Sequence, residues 1–81
     1  MPRFTDQQTI SFSTNIDSRL LIVQANGGSL TIEAYDGVNF IATDTVTADA
    51  ANELYTKGAR LRFTPAGGAV YNIDDSIGKL P

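Results

Sequence analysis

The 81 residues make one domain at most, and a domain of that size buries only about 60–65% of the surface its unfolded chain exposes. With neither cysteine nor histidine, disulfides are excluded and a structural zinc site lacks its thiolate and imidazole ligands, so association with other chains remains as the route to extra stability. Six Lys/Arg against nine Asp/Glu give a formal charge of −3, which points away from nucleic acid; no apolar run nears the roughly 20 residues that span a bilayer.

In chain order, residues 1–8 (MPRFTDQQ) are polar apart from Met1, Pro2 and Phe4, and contain no apolar signal-peptide core. They read as an arm that a partner orders, on a protein made and used in a cytoplasm or in a particle assembled there. Residues 9–13 alternate as a short strand with Ile10 and Phe12 inward. Residues 19–25 and 28–35 flank Asn26-Gly27, both of which tolerate the positive φ of a two-residue hairpin turn. In 28–35, Leu30, Ile32 and Ala34 share one face, the period-2 mark of a strand with one side buried.

Asp36-Gly37 then separates 28–35 from 39–48, a stretch rich in β-branched Thr43, Thr45, Val46 and Thr47. Residues 48–55 read as a loop leading into a short strand, 53–56, because seven residues are too few for an unsupported helix. In 59–64, Ala59, Leu61 and Phe63 face inward; Gly67-Gly68 separates this strand from 69–73. The tail, 74–81, lacks periodicity. Three hairpin signals and no helical period predict an all-β fold, a small antiparallel β-sandwich or barrel of six to seven strands over residues 9–73.

Leu20-Leu21-Ile22-Val23 breaks the alternation, being apolar on both faces of any strand. Two readings are open. Either an arm such as residues 1–8 covers the outer face, or Leu21 and Val23 contact another subunit or a host protein. Both require a cover.

Catalytic chemistry is missing its parts. No histidine can activate a serine, no cysteine can attack, and no G-x-S-x-G surrounds any serine. Lys57 and Lys79 sit beside turns, not in apolar segments that would lower an amine's pKa. Asp74-Asp75 and the group Asp44, Asp49 and Glu53 read as solvated carboxylates, since a thin sandwich has little room for a glycosidase cleft. No calcium-loop spacing surrounds Asp36, and the paired glycines lead into no helix that would cradle phosphate. The expectation is a protein without enzymatic activity, cofactor or metal.

Arg60 and Arg62 lie on one outward strand face, where a planar fork can grip acidic groups on a partner or pair with Glu33 across the sheet. Tyr35, Tyr55 and Tyr71 are candidate stacking platforms for sugar, or packing residues with a wet hydroxyl.

The runs GSLTIE (28–33), DGVNF (36–40), TVTAD (45–49) and GARLRFT (58–64) resemble the small β-sandwich accessory proteins of tailed bacteriophage virions, the capsid cement or decoration proteins in particular. The resemblance covers residues 28–73. It implies a structural role without catalytic residues, in many copies and often as trimers, bridging the major capsid protein or another virion protein. Leu21 and Val23 would then hold copies together, while Arg60, Arg62 and the arm with Phe4 grip the shell. A carbohydrate-binding or adhesion module, and a tail or head-to-tail subunit, are the alternatives.

Overall fold

The computed structural model describes residues 3–73. The expected tail, 74–81, lies outside the described residues, as do the first two. Eight strands follow one another: β1 Arg3–Phe4, β2 Gln8–Ser11, β3 Ser18–Gln24, β4 Ser29–Tyr35, β5 Phe40–Val46, β6 Ala50–Tyr55, β7 Arg60–Ala66 and β8 Val70–Ile73. They form two antiparallel sheets, sheet A in the order β1-β8-β3-β6 and sheet B in the order β2-β7-β4-β5. The chain is a small β-sandwich. First strand pairs with last, second with seventh, third with sixth and fourth with fifth, which is the strand order of a jelly roll.

The core lies between the sheets and draws on both. Sheet A contributes Leu21, Val23, Tyr71 and Ile73; sheet B contributes Ile10, Leu30, Ile32, Val46, Leu61 and Phe63. Each large apolar side chain fully removed from water stabilises the fold by about 1.5–3 kcal/mol. The inward sets expected for residues 28–35 and 59–64 are the ones found, as are Ile10 and Phe12.

Two of the three expected hairpins are something else. Asp36-Gly37 does join paired strands, β4 and β5. Asn26-Gly27 and Gly67-Gly68 instead carry the chain from one sheet to the other, β3 to β4 and β7 to β8. The local turn is as expected: Asn26 and Gly27 have φ of 51° and 82°, and Gly28 N–H donates to the Ala25 carbonyl at 2.7 Å. Gly67 and Gly68, with φ of 66° and 90°, repeat it. The two corners lie against each other. A Cβ on Gly28 would run into the Ala66 carbonyl oxygen and come within 2.8 Å of Gly67 C, and Asn26 Nδ2 donates to the Gly68 carbonyl at 3.1 Å. This close backbone approach is why residue 28 is a glycine although its φ is unremarkable.

The short strand expected at 53–56 is present but begins three residues earlier, at 50 where a loop was expected, and β6 runs continuously in register with β3 from Ser18↔Tyr55 to Val23↔Ala50. The N-terminal segment also belongs to the fold. Arg3 and Phe4 pair with Asn72 and Tyr71, and Gln8–Ser11 pairs with β7. At the end of the sandwich where the 12–17 and 56–59 loops meet, Arg19 is buried. It donates to Thr56 Oγ1 at 2.9 Å and lays its guanidinium over the Phe12 ring, 4.7 Å from the centroid.

Candidate functional site

Strand β3 decides which residues are available to a partner. Its side chains alternate, so Leu21 (0% exposed) and Val23 (2%) enter the core, while Leu20 (46%) and Ile22 (39%) stand on the outer face of sheet A. Leu21 and Val23 are therefore not the contact residues they were expected to be. The apolar stretch has an uncovered outer side, carried by its other two members. Around them register brings Glu53 opposite Leu20, and Ala51 and Asn72 on either side of Ile22. Glu53 accepts a bond from Ser18 Oγ at 2.7 Å, and Arg3 donates to Gln24 Oε1 at 3.1 Å. The face is an apolar centre with a polar margin.

Phe4 is also reassigned. Its ring lies 5.4 Å from that of Tyr71, which lies 5.5 Å from that of Phe63, so Phe4 caps an aromatic column running into the core. Tyr71, a candidate sugar platform in the sequence, is fully buried and donates its hydroxyl to the Asp6 carbonyl at 2.8 Å. Burial, with the nearby Asp6 carboxylate, pushes that phenol above its ordinary value of 10.0.

Sheet B presents a different outer face. Arg62 grips Glu33 with both arms of its fork, Nε to Oε1 at 2.8 Å and Nη2 to Oε2 at 3.1 Å. The same guanidinium lies 4.2 Å above the Phe40 ring. Arg62 is thus occupied within its own sheet, the cross-strand alternative to gripping a partner; the bond holds the Glu33 carboxyl below its usual value. Arg60 is exposed, its guanidinium 5.6 Å from the Tyr35 centroid, and Tyr35 lies 5.0 Å from Phe40. Next to this cluster runs a row of hydroxyls in which Thr31 faces Thr45 on one side and Thr64 on the other. The β4–β5 hairpin beside it is fixed by Asp36, whose Oδ1 accepts the Val38 and Asn39 N–H groups at 2.8 and 2.7 Å. Those bonds depress the Asp36 pKa.

Among the described residues, no group of three or more Asp and Glu side chains is placed to hold a metal ion. Sequence reasoning missed the buried Arg19: it shares the parity of Leu21 and Val23, and a charge on that parity points it toward solvent. It also named the wrong half of the apolar stretch, for the same reason. The chain matches no protein-family model, and no curated protein or solved structure matches it either.

Proposed function

We propose that this protein is a non-enzymatic structural subunit that docks on a larger protein shell, as capsid cement does, through the outer face of sheet A. The observation that carries this reading is the exposure of Leu20 and Ile22 at the centre of a regular sheet face, with polar groups around them. An apolar centre with a polar rim is the common anatomy of protein interfaces. The fold adds an analogy only: jelly-roll sandwiches recur in viral capsid and lectin domains, and a fold by itself fixes no function. On a shell, many weak contacts of this kind act together.

The test mixes purified protein with shells of the encoding phage that lack it, and measures bound copies and heat resistance. Saturable binding and a raised disruption temperature are expected. Replacing both Leu20 and Ile22 by Lys, which sets an ammonium opposite Glu53, should weaken binding by at least about tenfold, the loss of roughly 1.4 kcal/mol, while leaving the fold intact. Undiminished binding by that variant, or no binding by the unaltered protein, removes the reading.

A second reading rests on Tyr35 and Phe40, a tilted aromatic pair beside exposed Arg60 on sheet B. Such a pair offers a stacking surface for a sugar ring, with Arg60 as a hydrogen-bond donor. Glycan-array binding lost in Tyr35→Ala and retained in the Leu20/Ile22 variant would favour it over the first.

A further inference from the structure

The four sheet edges are not equally protected. β1 has two residues and β2 four. β5, the outer edge of sheet B, is broken by a bulge: Ile32 faces Asp44 and Glu33 faces Ala42, so Thr43 is the extra residue. Bulges and short lengths are how natural sheets blunt their edges. β6, the outer edge of sheet A, has neither defence. It is six residues long, AANELY, unbroken in register, without Pro, Lys or Arg, and Ala51, Asn52, Glu53 and Tyr55 are exposed along it.

We infer that β6 is a pairing edge for a second copy of this chain, joined antiparallel about a two-fold axis midway between the two copies of Asn52. The strand is a match for its own copy. In an antiparallel pair, opposite residues share a face, so the two-fold must lie midway between a residue and its own copy. Two registers use nearly the whole strand. The one centred on Glu53 sets Glu53 directly against its own copy, and like charges so placed are destabilising. The one centred on Asn52 sets Asn52 against Asn52, two amides that each offer a donor and an acceptor. It also sets Ala50 against Leu54 on the inner face, where both already pack partly against the core, and Ala51 against Glu53 on the outer face. Sheet A then continues into the second copy as one sheet of eight strands. Its outer face would carry two Leu20/Ile22 centres, turning a single docking patch into a bivalent one. The pairing itself is independent of any shell. Two six-residue strands form a small interface, below the roughly 1,200 Å² of stable complexes, so a dimer weaker than about 1 μM is expected.

The chain's lack of cysteine makes single-cysteine variants clean probes. Opposed residues in an antiparallel pair lie about 4.5–5.5 Å apart at Cα, within disulfide reach, whereas residues offset by two positions lie about 7–8 Å apart and are beyond it. Treated with diamide at high protein concentration, Asn52→Cys is expected to form a disulfide dimer, while Glu53→Cys and the bulge variant Thr43→Cys do not. In analytical ultracentrifugation the unaltered protein should pass from monomer to dimer as concentration rises, and Asn52→Lys, which sets two ammonium groups at the axis, should stay monomeric. A monomer throughout, a trimer, or crosslinking at 53 or 43 equal to that at 52 overturns the pairing. Should Asn52→Lys unfold, the comparison of 52 with 53 still decides.

Discussion

Gly28 and Gly27 are adjacent in sequence and held by different physics. At Gly27 the backbone is in the left-handed region, and a Cβ would point into open space. Gly27→Ala is therefore expected to cost about 1–2 kcal/mol, the conformational penalty alone. At Gly28 a Cβ would occupy the space of the 66–67 backbone, which cannot swing aside as a side chain does. Gly28→Ala should cost more than Gly27→Ala, at least about 3 kcal/mol, through overpacking and displacement of one corner from the other. Urea denaturation of the two variants gives the order directly. Tyr71 adds a pH-dependent case. Its phenol titrates above 10.0 in the folded state, so the folded chain holds the proton more tightly than the unfolded one does. The corresponding stability is complete below pH of about 10 and is lost as pH rises beyond that value. Unfolding midpoints compared at pH 8 and pH 11 should fall in the unaltered protein and fall less in Tyr71→Phe. At pH 8 that variant should be weaker by about 1 kcal/mol, for the lost bond to the Asp6 carbonyl.

At the scale of the element, β3 separates stability from docking along a single strand. Leu21→Ala empties a fully buried position and should cost about 2–5 kcal/mol, whereas Leu20→Ala, one residue away and half-exposed, should cost under about 1 kcal/mol. Thermal unfolding of the pair measures the difference, and near-equal losses would mean that β3 is not seated with this parity. The strand also shows what the sequence could tell. Alternation in β4 and β7 was legible because polar residues mark the outer face. In Leu20–Val23 both faces are apolar and the polar flanks disagree, since Arg19 lies on the buried parity and Gln24 on the exposed one, so the parity is set by the neighbouring strands. The turns pose a similar limit. Asn26-Gly27 and Gly67-Gly68 adopt the dihedrals of a hairpin turn, and those dihedrals are the same whether the flanking strands pair with each other or part company. What separates them is distant: β3 finds β6 and β8, while β4 finds β5 and β7. The first half of β6 went unread because Ala50, Ala51 and Asn52 are weak strand formers, and their position beside β3 supplies what propensity does not.

For the whole molecule, the pairing of first strand with last means that the two ends of the described chain stabilise each other. Among the described residues, only β4 and β5 are joined by a short hairpin, and every other ladder waits for residues remote in sequence. Residues 3–7 are the clearest consequence. Treated as an arm, they could be removed at little cost in stability, with loss only of partner binding. In the folded chain they hold Phe4 against Tyr71, supply the Asp6 carbonyl to the Tyr71 hydroxyl, and send Gln7 Nε2 to Thr64 Oγ1 at 2.9 Å. Their removal leaves the Tyr71 hydroxyl without its acceptor and strips a partly buried aromatic ring from the core. The two effects together exceed about 3 kcal/mol, a large share of the margin available to so small a domain. A chain beginning at Gln8 is therefore expected to lose well over 10 °C in thermal midpoint, at roughly 4–8 °C per kcal/mol. Differential scanning calorimetry of the shortened and full chains tests this, and unchanged midpoints would restore the segment to the status of an arm. Phe4→Ala in the full chain should reproduce part of the loss, because it removes the ring while keeping the β1 backbone and the Asp6 carbonyl in place.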